Sequence, residues 1–147
     1  MFKEDVGVMV YCRNACSLIG YSTRLNALGH YRLSLCSSAT EVTELLEAGK
    51  RFRFLVFDGF DLGSYAQLLN ELAWFEAINE FVVVADVNSM QRLEIFYWAK
   101  DIELPLRAVL QAPLRDYELA LALGCGDASG GPTALYPGSF LVLDGAC

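Results

Sequence analysis

The sequence predicts an α/β sandwich: a parallel sheet with helices packed on both of its faces. Three observations carry that prediction. Apolar runs of strand length recur along the chain, such as Phe54-Leu55-Val56-Phe57 and Phe81-Val82-Val83-Val84-Ala85. A strand that is apolar on both faces is one buried on both faces, as in a parallel sheet. Capped amphipathic stretches separate these runs, so strand and helix alternate. At 147 residues and 54% hydrophobic, the chain is long enough for one domain with a sizeable core.

The elements follow in order. Val6-Gly7-Val8-Met9-Val10-Tyr11 is apolar and β-rich, a first strand. Asn14 can cap the next helix, which carries Leu18, Ile19, Leu25 and Leu28 and stops at Gly29. Arg32-Leu33-Ser34-Leu35-Cys36 is more amphipathic, which suits a second strand near an edge. Ser38-Ala39-Thr40-Glu41 reads as a capping box, with Thr40 an alternative cap. Val42, Leu45 and Leu46 give that helix its stripe as far as Gly49. Phe52-Arg53-Phe54-Leu55-Val56-Phe57 is the third strand. A loop over residues 59–63 leads to a helix starting at Ser64, with Leu68, Leu69, Leu72 and Trp74 on its apolar side. The fourth strand is Phe81-Val82-Val83-Val84-Ala85. Asn88 or Ser89 caps a helix through Leu93, Ile95, Phe96, Trp98 and Ala99. Pro105-Leu106-Arg107-Ala108-Val109-Leu110 fits a fifth strand. Pro113 suits the first turn of a last helix with Leu114, Tyr117, Leu119, Leu121 and Leu123, ended by Gly124. Residues 1–123 thus form the domain. Residues 124–138 read as a Gly/Ser/Pro linker, and Phe140-Leu141-Val142-Leu143 as a strand-like stub suited to pairing with another chain.

Composition excludes several classes. A net charge of −7 argues against direct nucleic-acid binding, which wants a basic face. No apolar run reaches the roughly 18 residues of a membrane span. Glu4 and Asp5 stand where a signal peptide carries only basic residues, so a cytoplasmic protein is expected. Five cysteines (Cys12, Cys16, Cys36, Cys125, Cys147) with no CxxC, and the single histidine His30, offer neither a disulfide framework nor a zinc site. His30, just past Gly29, reads as a turn residue. The glycines after Gly124 follow a helix rather than a strand, which is wrong for a phosphate loop. No nucleophile–histidine set can be assembled around one histidine.

Chemistry in parallel sheets sits past the carboxyl ends of the strands. Asp58, which ends the apolar third strand ahead of Gly59, falls at that edge. The element order, this aspartate and the Leu110-Gln111-Ala112-Pro113-Leu114 stretch together resemble the receiver (CheY-like) domain of bacterial two-component response regulators. The resemblance covers residues 6–123. It implies a three-layer (βα)5 flavodoxin-like sandwich around a five-stranded parallel sheet of order 2-1-3-4-5.

The resemblance also assigns positions. The phosphoacceptor aspartate matches Asp58. The acidic pair that holds Mg²⁺ falls at Cys12 and Arg13, the hydroxyl residue after the fourth strand at Ala85, and the lysine before the proline at Ala112. Mg²⁺ is a hard cation that wants oxygen ligands, and a thiol and a guanidinium supply none. An alanine at 112 leaves the charge of an acyl phosphate without its cationic partner. Asp58 is expected instead to be held by Arg13, as an internal substitute for the metal, or by loop amides. Asp61 and Asp86 are the acids that a rearranged Mg²⁺ site would have to use.

Ile95-Phe96-Tyr97-Trp98 is too aromatic for one buried helix face. Receivers use the corresponding fourth helix and fifth strand to dimerise. Phe96, Tyr97 and Trp98, rimmed by Arg107 and Arg115, are therefore the expected interface. The resulting expectation is a degenerate receiver-like regulatory domain that is not an enzyme, holds no cofactor or metal and acts by protein–protein contact. It would dimerise or control an attached output domain, as such domains do at the N-terminus of bacterial transcription activators of the sigma-54-dependent class. A working phosphoacceptor with an unusual metal site and a flavodoxin-like binder of a small ligand or nucleotide are the alternatives.

Overall fold

A computed structural model of the protein describes residues 7–112 and 114–123. The elements alternate as β1 (Gly7–Tyr11), α1 (Ala15–Ala27), β2 (Leu33–Cys36), α2 (Ala39–Glu47), β3 (Phe52–Asp58), α3 (Leu62–Ala73), β4 (Ile78–Ala85), α4 (Ser89–Asp101), β5 (Leu106–Gln111) and α5 (Asp116–Ala122). The five strands form one sheet in the order β2-β1-β3-β4-β5, with every neighbouring pair parallel. The expected three-layer order 2-1-3-4-5 is therefore the observed one. Right-handed crossovers place α1 on one face and α2, α3 and α4 on the other, because only the first connection moves outward across the sheet in its direction.

Burial explains the strand sequences. Met9 and Val10 of β1, Leu55, Val56 and Phe57 of β3, and Val82 and Val83 of β4 are fully buried, since helices cover both faces of these central strands. Edge strand β2 alone is amphipathic, with Leu35 exposed. Gly7 is fixed by a close approach: a Cβ there would lie 2.4 Å from the Arg32 carbonyl oxygen.

The caps are mostly those expected. Asn14 accepts from the Ser17 amide and Ser38 from that of Glu41. Asn88 and Gln91 form a reciprocal capping box on α4. Three boundaries differ. Helix α3 starts at Leu62, two residues before Ser64, because the Asp61 side chain accepts from the Ser64 amide at 3.0 Å. Strand β4 extends back to Ile78. Helix α5 starts at Asp116, not in the turn of Pro113, and Arg115 at its cap makes no side-chain capping bond. Two expected core residues are outside: Ile19 is 67% exposed and Trp74, at the end of α3, is 80% exposed. Leu18, Tyr21 and Leu25 make the buried stripe of α1, and Leu69 and Leu72 that of α3. The expected linker and stub of residues 124–147 lie outside the described residues.

Candidate functional site

The site forms where β1 and β3 end side by side. Tyr11 pairs with Phe57 in the parallel ladder, so the next residues, Cys12 and Asp58, also lie adjacent. Side chains alternate across the sheet. Tyr11 and Phe57 therefore point to the α3 face, where their rings stack at 4.4 Å and both meet Tyr65 edge-on at 6.4 and 5.1 Å. Phe60 extends this aromatic floor to Trp98 of α4, with ring centroids 5.8 Å apart. The chain turns sharply after Asp58 through Gly59, at φ 78°, and the amides of Gly59 and Phe60 both bond the Val84 carbonyl.

Cys12 and Asp58 take the opposite parity, toward α1. The Cys12 thiol donates to Asp58 Oδ2 at 3.4 Å, and Tyr21, from α1, brings its hydroxyl close enough to feel the same carboxylate. Both side chains are buried, at 5% and 4% exposed, whereas Asp58 is half-buried. Burial, then the Asp58 charge and hydrogen bond, push the Tyr21 hydroxyl above the ordinary phenol range. Burial also raises the Cys12 thiol. The Asn14 backbone opposes this, and Asp58 adds to it. Both groups thus stay protonated, which is what a carboxylate at a strand end requires of its neighbours.

Arg13 is not the partner of Asp58. It is exposed, and its guanidinium donates to the Tyr65 hydroxyl at 3.1 Å. Lying one residue beyond Cys12, it leaves the backbone toward the aromatic face rather than the α1 face. A fixed Arg13–Asp58 pair standing in for a metal is therefore replaced by a thiol and a phenol. Asp61 and Asp86, the acids a rearranged Mg²⁺ site would use, hold other partners. Asp61 is committed to the α3 cap, and Asp86 accepts from Gln111 Nε2 at 3.1 Å. Among the residues lining the cleft at Asp58, which include Cys12, Asn14, Ser17 and Tyr65, Asp58 is the one carboxylate, a donor set that fits Mg²⁺ poorly. No group of three metal-ligating side chains exists among the described residues.

The remaining site positions meet through their backbone. The Ala112 amide donates to the Ala85 carbonyl at 3.1 Å, and neither methyl group can contact a phosphoryl oxygen as a hydroxyl or ammonium does. Cys12, Arg13, Asn14, Ser17, Asp58 and Tyr65 line an open cleft of about 540 Å³. Sequence reasoning missed two features. Tyr21 carries a hydroxyl inside the apolar stripe of α1, and that was its signal. Buried Arg92 of α4 donates to Gln111 Oε1 at 2.7 Å, so α4, the end of β5 and the loop after β4 are joined through Arg92, Gln111 and Asp86.

No family model and no curated protein sequence matches this chain. Solved structures do. A putative pilus assembly-related protein from Burkholderia pseudomallei is similar at TM-score 0.64 and 20% identity, over 84% of this chain and 90% of that one. The signal receiver domain of an HD domain-containing protein from Pseudomonas fluorescens matches at TM-score 0.63 and 19% identity, over 81% and 91%. A CheY-like response regulator receiver domain from Methanospirillum hungatei matches at TM-score 0.64 and 15% identity, over 81% and 90%. The chain has the response-regulator receiver fold. Within that fold Asp58 occupies the strand end where the sequence resemblance places the phosphoacceptor, and its neighbours are those described above.

The fourth-helix surface of this receiver fold is divided. Phe96 is buried, Trp98 is half-buried against Phe60, and Tyr97 is 64% exposed, so one of the three expected interface aromatics faces outward. Arg107 already holds partners within the chain. It pairs with Glu80 at 3.0 Å, lies over the Phe54 ring at 5.6 Å and donates from Nε to the Ala122 carbonyl. Arg115 is exposed. Among the described residues no helix is long and apolar enough to cross a membrane.

Proposed function

We propose that this is a regulatory receiver-like domain that works without a phosphorylation cycle, through contact with other proteins. It dimerises or controls an attached output domain, in keeping with a bacterial transcription regulator. The observation that supports this most is the enclosure of Asp58 by the Cys12 thiol and the Tyr21 hydroxyl. Phosphoryl transfer depends on positioning and on cations that neutralise the transferring charge. Here the side chains that would meet that charge are a protonated thiol, a phenol and the methyl groups of Ala85 and Ala112, with Arg13 turned to Tyr65. Treatment with acetyl phosphate and Mg²⁺ should leave the intact mass unchanged. A stable gain of one phosphoryl group, lost in Asp58→Asn, would overturn the reading.

The contact surface is best supported at α4 and β5. A groove of about 450 Å³ runs between them, lined by Leu93, Phe96, Tyr97, Lys100, Leu104 and Leu106. Exposed Met90 and Tyr97 continue its apolar character along α4. In a two-fold dimer each groove meets its copy, so one substitution acts twice. Tyr97→Glu should shift the protein to monomer in analytical ultracentrifugation. If wild type is already monomeric at about 100 μM, self-association is weaker than about −5.5 kcal/mol and the groove serves the output domain instead.

A further inference from the structure

At the far end of the sheet from Asp58, this acidic chain concentrates its cations. Of its 11 Lys and Arg residues, Arg32, Lys50, Arg51 and Arg53 line two adjoining clefts at the N-terminal ends of the strands. One cleft, about 360 Å³, is bounded by His30, Tyr31, Arg32 and Arg53. The other, about 320 Å³, is bounded by Arg32, Leu33, Leu45, Lys50 and Arg51. Gly7 and Arg32 belong to both, so the clefts form one trough across β2, β1 and β3.

All four cations are exposed. Lys50 and Arg51 make no ion pair with any described residue. Arg53 lies over the Phe54 ring at 5.4 Å. Apolar surface is interleaved with this charge: Tyr31 is 75% exposed at one end, and Leu33 and Leu45 are half-buried at the other.

We propose that this trough docks an extended acidic segment of a partner polypeptide, one in which carboxylates alternate with apolar side chains. Cations spread along a trough on long exposed stems match charges spread along an extended chain. A compact phosphate site would instead gather buried donors at one point. Exposed Tyr31 and half-buried Leu33 and Leu45 between the cations suit a chain that carries apolar side chains as well as charge, which a phosphate backbone does not. This proposal stands apart from the state of Asp58, so either can fail alone.

The test is fluorescence anisotropy of the full chain with a short labelled peptide of alternating Glu and Leu at low salt. Saturable binding that weakens as salt rises is expected, and a Lys/Leu peptide should not bind. Arg51→Glu with Arg53→Glu should weaken binding about tenfold or more, since two exposed charges change sign, a net change of four units. The thermal midpoint should stay unchanged because both side chains are exposed. Undiminished binding by that double variant would overturn the proposal, as would tighter binding of oligothymidylate or displacement of the peptide by inorganic phosphate at equal concentration. Binding that appears only in Glu4→Gln/Asp5→Asn protein would overturn it too, because the trough would then be the seat of the chain's own N-terminal acids.

Discussion

A double-mutant cycle on Tyr21 and Asp58 tests whether the phosphoacceptor position is a structural joint here. Tyr21 is 4% exposed and its hydroxyl stands by the Asp58 carboxylate, so Tyr21→Phe removes a polar partner of that charge. Hydrogen bonds to charged groups contribute about 1.5–3 kcal/mol, but Asp58 is half-buried and water can replace part of the loss. About 1–1.5 kcal/mol is the expected cost. Asp58→Asn keeps an acceptor oxygen for one donor and loses the charge, so about 1–2 kcal/mol is expected there. The double variant should fall short of the sum by about 1 kcal/mol, because each change removes the same interaction. Urea unfolding at neutral pH measures this, with the slope unchanged across the four proteins. The corresponding midpoint shifts are about 3–5 °C per kcal/mol for a chain of this size. A coupling below about 0.5 kcal/mol, the usual scatter of additivity, would refute the joint. pH supplies a second readout. The folded-state pKa of Tyr21 is raised, so its contribution is complete below the unfolded value of about 10 and is lost as pH climbs beyond it. The gap in stability between wild type and Tyr21→Phe should therefore narrow in alkali.

Three further outcomes are expected. In a Cys125→Ser/Cys147→Ser background, exposed Cys16 should react with a disulfide reagent at the rate of a free thiol. Buried Cys12 and Cys36, the latter pushed up to about 11 by burial and then by Glu41, should react only on denaturation; three fast thiols would contradict their burial. His30 is held below its ordinary pKa by burial and then by Arg53, so its protonation favours the unfolded chain. Stability should fall as pH drops through about 6.5, and His30→Gln should flatten that fall in an acid titration followed by circular dichroism. Cys12→Asp with Arg13→Asp sets two acids beside Asp58 and should lower the thermal midpoint by like-charge repulsion. Millimolar Mg²⁺ should restore it in that variant alone. A saturable rise in wild type would mean that the native donor set does hold the ion.

What the sequence disclosed follows from which constraints are local. A strand covered on both faces has no polar side to hide, so Leu55, Val56 and Phe57 announce β3 and its end at Asp58 without tertiary information. Helix ends were legible where glycine takes the left-handed conformation, as Gly29 and Gly49 do. They were not where Glu76 and Glu103 take it at φ 53° and 59°, since nothing in a glutamate marks such a turn. Trp74 followed from that gap, because a helix thought to continue would have buried it.

The surroundings of Asp58 turn on parity. Cys12 and Arg13 are neighbours in sequence, yet the pleat sends one to α1 and the other to Tyr65, and composition favours the charged residue as the partner of a carboxylate. Geometry selects the thiol. Tyr21 joins it from a helix stripe that reads as ordinary core, so its hydroxyl becomes a site residue only once α1 is laid across the strand ends. A carboxylate at that edge needs donors when no metal meets it, because an unpartnered charge there costs several kcal/mol. The thiol and phenol meet that need. The thiol takes Asp58 Oδ2, so on the reading proposed above the contacts that hold Asp58 would also withdraw it from phosphotransfer.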